Sequence, residues 1–125
     1  MPTVLLIDDD LAALDTFRVA LSLSHFDVVT ADSGVQGASI AVRLDPDVVL
    51  AELKLPDLSG LDVLRTIRAH GQSTPFILIT AFATIRTAVE AMRLGAFDYV
   101  EKPLSVEQLV SFVEHAIRER NGIPA

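Results

Sequence analysis

The sequence predicts a doubly wound α/β domain, in which a parallel sheet of five strands carries helices on both faces. Two observations carry that prediction. Short apolar, β-branched runs alternate five times with longer stretches of helical spacing. The runs also lack the polar alternation of a sheet wetted on one side, as expected of strands that crossover helices cover twice. At 125 residues the chain is most simply one domain, able to bury roughly 65–70% of the surface its unfolded form exposes.

Each element has its own justification. TVLLI (3–7) is the first strand, and Leu11 to Ser24 follows as a helix with apolar Leu14, Phe17, Val19, Ala20 and Leu21. Asp10 stands where an N-cap would. DVVTA (27–31) and DVVLAEL (47–53) are the second and third strands, separated by a helix over Gly34 to Leu44. Gly60 to His70 stacks Leu61, Val63, Leu64 and Ile67 before the fourth strand, FILIT (76–80). Thr84 to Leu94 places Ile85, Ala88, Val89 and Met92 on one face, and Gly95 is its stop signal. DYVEK (98–102) is the fifth strand, and Ser105 to Glu119 the last helix, with Leu109, Phe112, Val113 and Ala116 on its inner face. Ser105 and Gln108 have the spacing of a capping box. RERNGIPA (118–125) reads as a frayed helix end entering a linker, or as the cut end of a longer protein.

Composition narrows the function. Seventeen acidic against ten basic residues give a formal charge of −7, which disfavours direct nucleic-acid binding by this domain. The chain has no cysteine, which removes disulfides and thiol catalysis and fits a reducing compartment. No stretch approaches the roughly 20 apolar residues that span a bilayer, and the opening MPTVLLID lacks a basic leader. A soluble cytoplasmic protein is the expectation. The glycines form no nucleotide-binding fingerprint, and no nucleophile elbow is present. His25, His70 and His115 lack metal-ligand spacing and read as surface residues.

Function in such sheets gathers outside the carboxyl ends of the strands. The residues there are Asp8, Asp9 and Asp10 after the first strand, Glu52 after the third, Thr80 after the fourth and Lys102 after the fifth. In the strand order 2-1-3-4-5 the first strand lies beside the third, which brings Asp8 and Asp9 close to Glu52. One like-charge pair at 4 Å costs about 4 kcal/mol at an effective dielectric near 20, so a cation, a shared proton or a basic side chain must offset it. Lys102 is one candidate and Mg²⁺, which favours hard oxygen ligands, is the other.

With those residues in place, the chain resembles the receiver domains of bacterial two-component response regulators over residues 3–119. LLIDDD (5–10) is similar to the acidic pair, LAELKLPDLSG (50–60) to the phosphoacceptor strand and loop, LITA (78–81) to the hydroxyl position, and DYVEKPL (98–104) to the aromatic switch and Lys-Pro pair. The resemblance implies a flavodoxin-like receiver fold over 1–119, with 120–125 as a tail or the start of a linker to an output domain. It implies a histidine kinase as phosphoryl donor and Mg²⁺ as cofactor, with Asp9 a direct metal ligand, Asp8 acting mainly through water and the Lys54 backbone carbonyl a further ligand. Thr80 and the Ala81 N–H would bind phosphoryl oxygens, Lys102 would pair with the developing charge, Tyr99 would be the switch, and the Lys102–Pro103 bond would be cis. A homodimer through the fourth helix, fifth strand and fifth helix, and transcription regulation through an output domain, follow as further implications.

The departure from the family pattern is Glu52, which stands where the phosphoacceptor aspartate belongs. One extra methylene carries the carboxylate about 1.5 Å further, and a 1 Å error in attack geometry costs on the order of 100-fold. The same reach lets the carboxylate occupy part of the space of an aspartyl phosphate, with one charge against roughly −2. The leading reading is a signalling domain, not an enzyme, that is not normally phosphorylated and is partly biased to its active form. The alternatives are a Mg²⁺-dependent receiver still modified at Glu52 or at Asp8 or Asp9, and an interaction scaffold that has lost switching.

Overall fold

The computed structural model describes residues 1–122. Five strands, β1 (Thr3–Ile7), β2 (Asp27–Ala31), β3 (Val48–Glu52), β4 (Phe76–Thr80) and β5 (Asp98–Glu101), alternate with five helices, α1 (Leu11–Leu23), α2 (Gly34–Leu44), α3 (Gly60–Ala69), α4 (Ile85–Arg93) and α5 (Val106–Arg120). All strand pairs are parallel and the order is β2-β1-β3-β4-β5. Each sequence-predicted element is present, with ends shifted by about one residue because the capping residues stand outside the helices they cap. Asp10 accepts from the Ala12 and Ala13 N–H groups, and Ser59 and Ser105 close capping boxes with Asp62 and Gln108. Gly95 follows α4 with φ +81°. Asn121 caps α5; of the expected tail, residues 123–125 lie outside the described residues.

The strands are apolar throughout because both faces are covered, and the period of two sorts their side chains into two cores. Leu5, Ile7, Val49, Ala51, Phe76 and Leu78 face α2, α3 and Ala91 of α4. Val4, Leu6, Val48, Leu50, Ile77 and Ile79 face α1 and α5. The central strands β3 and β4 are buried from end to end. Among the described residues no helix is long and apolar enough to cross a membrane.

The turn out of β3 depends on close approach. A Cβ on Gly60 would lie 2.5 Å from the Glu52 carbonyl oxygen and 2.6 Å from Leu78 Cδ2. The Gly60 N–H donates to the Leu53 carbonyl at 2.8 Å, so α3 starts directly against the end of β3. Gly60→Ala is expected to displace this junction and lower the unfolding free energy by about 1–3 kcal/mol, read from a urea denaturation midpoint.

Candidate functional site

The sheet order and register bring three strand ends to one place. Ile7 is level with Ala51, which sets Asp8, the next residue, beside Glu52. Glu52 is level with Ile79 and Thr80 with Glu101, and the Lys102 N–H donates to the Thr80 carbonyl at 2.9 Å. Lys102 thus leaves the end of β5 with its side chain free to reach back over the sheet.

Its ammonium closes an ion triad. Lys102 Nζ donates to Glu52 Oε1 at 2.8 Å and to Asp8 Oδ2 at 3.2 Å. The remaining oxygens are also engaged: Asp8 Oδ1 accepts the Asp10 N–H at 3.0 Å, and Glu52 Oε2 accepts the Lys54 N–H at 3.2 Å. Asp8 and Glu52 are buried, 9% and 8% exposed. Beneath them is a cavity of about 20 Å³ with an apolar floor of Leu6, Leu14, Phe17, Leu50 and Ile79, room for about one water. That low-dielectric floor strengthens the ion pairs above it.

Burial dominates at Asp8 and raises its pKa above the ordinary carboxylate value, against the opposing pull of the Asp10 N–H and Lys102. At Lys102 burial acts downward, but Glu52 and Asp8 together outweigh it, so the amine is held above its usual value. The two directions have different causes: desolvation wins at Asp8, and the pull of two carboxylates wins at Lys102.

The other expected site residues are placed as follows. Asp9 is exposed and does not join the triad. Lys54 bridges to Ser59 in the loop after β3, and its ammonium sits 4.3 Å above the Phe82 ring. Thr80 is fully buried, and its hydroxyl accepts the Phe82 N–H at 3.0 Å. Strand alternation explains why it does not reach Glu52: Leu50 and Leu78 face opposite cores, and so do Glu52 and Thr80, two residues further along each strand. Ala81 is exposed, Tyr99 is half-buried with its hydroxyl 2.6 Å from Thr87 Oγ1, and the Lys102–Pro103 peptide is cis.

Receiver domains generally bind Mg²⁺ at their acidic site. Here the donor types are suitable, since carboxylate oxygens are the hard ligands the ion favours. The arrangement does not fit it. All four oxygens of Asp8 and Glu52 are committed, Lys102 already supplies the positive charge between them, and among the described residues no three His, Cys, Asp or Glu side chains gather as a metal group.

Two contributors were not legible in the sequence. Asp57, in the loop after β3, accepts from Gly34, Leu58 and Val35 N–H groups at 2.8, 2.8 and 2.9 Å, capping α2 from another element. The Val35 and Gly34 N–H groups lower its pKa. The second is Thr87, whose spacing in α4 gives no sign of its contact with Tyr99. A side-chain acceptor 22 or 23 residues distant in sequence has no local signature.

A match to the family model for the response regulator receiver domain covers residues 4–114. The chain belongs to that family. It is 36% identical to the cell cycle transcriptional regulator CtrA of Caulobacter vibrioides over 95% of this chain and 52% of that protein. It is likewise 36% identical to the regulatory protein AtoC of Escherichia coli, over 92% of this chain and 25% of that protein. The receiver thus spans about half the length of CtrA and a quarter of that of AtoC. A receiver domain crystal structure from Clostridium thermocellum superposes with a TM-score of 0.90 at 31% identity, covering 97% of this chain and 98% of that one.

Two outcomes test this geometry. Lys102→Met strands two buried carboxylates and is expected to destabilise the receiver by about 3 kcal/mol, with Glu52→Leu added to it recovering part of the loss; thermal unfolding of both variants reads this. Asp57 has a depressed folded pKa, so its contribution is fully present above the unfolded value of 3.8 and is lost as pH falls through the lower folded value. Asp57→Ala should therefore flatten the acid limb of the stability curve below about pH 4.5, measured as denaturation midpoint against pH.

Proposed function

We propose that this chain is the receiver domain of a two-component response regulator in which Glu52 holds the phosphoacceptor position, so that the domain is not normally phosphorylated and rests partly in its active form. The observation that carries the reading is the ion triad, with Lys102 2.8 Å from Glu52 and 3.2 Å from Asp8. In this reading the carboxylate engages the lysine that would otherwise pair with phosphoryl charge. The mimicry is partial, because the Thr80 hydroxyl stays with the Phe82 N–H and a carboxylate brings one charge against roughly −2. The bias acts only through a Glu52–Lys102 interaction that differs between the two states of the domain. Mg²⁺ is weakened or displaced by the closed triad, and Asp9, Asp8 and the Lys54 carbonyl would hold it only if Lys102 withdrew. Ala81 and Tyr99 keep their receiver roles, the first as a phosphate-binding N–H and the second as the switch.

In the same reading residues 1–119 form the receiver, and 120–125 begin a linker to an output domain that regulates transcription, as the names of the longer relatives suggest. The partners are a histidine kinase and a second copy of the receiver, docked through α4, β5 and α5. Exposure of Ile85, Val89 and Met92 on α4 supports that face. The domain itself would act in the cytoplasm and leave nucleic acid to its output partner.

Incubation with Mg²⁺ and a small acylphosphate donor, followed by intact-mass measurement, tests the proposal. The wild type should show no stable adduct, whereas Glu52→Asp should gain one phosphoryl group only when Mg²⁺ is present. A stable Mg²⁺-dependent adduct on wild-type Glu52, Asp8 or Asp9 would overturn it in favour of a working phosphoacceptor. A scaffold without switching is distinguished by Glu52→Ala and Glu52→Asp, which would then leave the amide spectrum of α4 unchanged.

A further inference from the structure

Helix α4 is held at its ends more than along its length. Of its nine residues only Ala91 is fully buried, whereas α3 buries Gly60, Leu61, Val63, Leu64 and Ile67. Ile85, Val89 and Met92 form an apolar stripe that is 86%, 43% and 52% exposed. At the C-terminal end the hold comes from α3. Arg68 donates from Nε to the Leu94 carbonyl at 3.2 Å and from Nη2 to the Gly95 carbonyl at 2.9 Å, and Arg65 pairs with Glu90.

At the N-terminal end the hold is a cluster of three hydroxyls. Tyr99 Oη lies 2.6 Å from Thr87 Oγ1 and accepts the Thr84 N–H at 3.3 Å. Thr87 Oγ1 in turn lies 2.8 Å from Thr84 Oγ1 and 3.2 Å from the Thr84 carbonyl, while Thr84 Oγ1 accepts the Thr87 N–H at 3.1 Å. Each hydroxyl has one proton, and one direction of donation accommodates every contact. Thr87 donates to the Thr84 carbonyl, Tyr99 and Thr84 each donate to Thr87 Oγ1, and the Tyr99 oxygen keeps a lone pair for the Thr84 amide.

We propose that Thr87 is the positioning residue of a latch, closed on Tyr99, that holds the first turn of α4 against β5 and so fixes where the Ile85–Val89–Met92 stripe is presented. The Arg68 end is the pivot. Ile85 stands roughly 12 Å along the helix from that pivot, so opening the latch moves the start of the stripe furthest. The latch rests on the reading of α4 as an output face, and it gives Tyr99 a defined partner within that face.

Amide hydrogen exchange and methyl shifts by NMR test the latch in Thr87→Val, Thr87→Ser and Tyr99→Phe. Valine keeps the β-branched shape and removes only the hydroxyl. The Thr84 amide should exchange about fivefold to tenfold faster in Thr87→Val and Tyr99→Phe, the scale of one lost hydrogen bond, and return to the wild-type rate in Thr87→Ser. The Ile85, Val89 and Met92 methyl resonances should move together in the first two variants, while the Leu94 and Gly95 amides hold still. Unchanged Thr84 exchange in Thr87→Val, or equal changes at both ends of the helix, would sink the latch. Phosphorylation of Glu52→Asp is a separate readout: its failure counts against the receiver reading alone, and a silent Thr84 amide counts against the latch alone.

Discussion

One ammonium shared by two buried carboxylates organises the upper edge of this sheet. Asp8 and Glu52 arrive side by side because β1 and β3 are neighbours in register, and neither can move away without breaking strand pairing. Their repulsion is relieved by Lys102, which the backbone bond to Thr80 fixes at the end of β5. Breaking a buried ion arrangement is costly mainly because of the charge left behind, so the three residues constrain one another. The triad is as much a structural clamp across three strands as a chemical site.

That clamp separates two halves of the pocket. On the α1 and α5 side, Glu52 and Asp8 engage Lys102 with one oxygen each and the Lys54 and Asp10 N–H groups with the other. On the opposite side, Thr80 and Tyr99 have their own partners, Phe82 and the first turn of α4. Strand pleating, not distance along the chain, assigns each side chain to its half. A group that reached across both halves would join them, and a carboxylate on Glu52 does not.

Much of this was legible in the sequence. The five apolar runs and five helical stretches follow from composition and period alone, and the capping residues Asp10 and Ser105 mark helix starts by local chemistry. The closeness of Asp8, Glu52 and Lys102 follows from strand order, which the alternation of elements constrains. What local reading misses is any contact whose partners are distant in sequence and bound through backbone or hydroxyl groups. Asp57 capping α2 and Thr87 meeting Tyr99 are of that kind. Asp9 shows the converse, since adjacency in sequence to Asp8 does not give it the same environment: the chain turns between them and leaves Asp9 in solvent.

The tight seat of Gly60 against the Glu52 carbonyl and Leu78 bears on how such a receiver can change over generations. The main chain under residue 52 is wedged against Gly60, whereas its carboxylate is held by hydrogen bonds to Lys102 and the Lys54 N–H. Aspartate and glutamate codons differ only in the final base. A lineage can therefore trade one acid for the other at this spot in a single mutational step while the main chain beneath it stays in place.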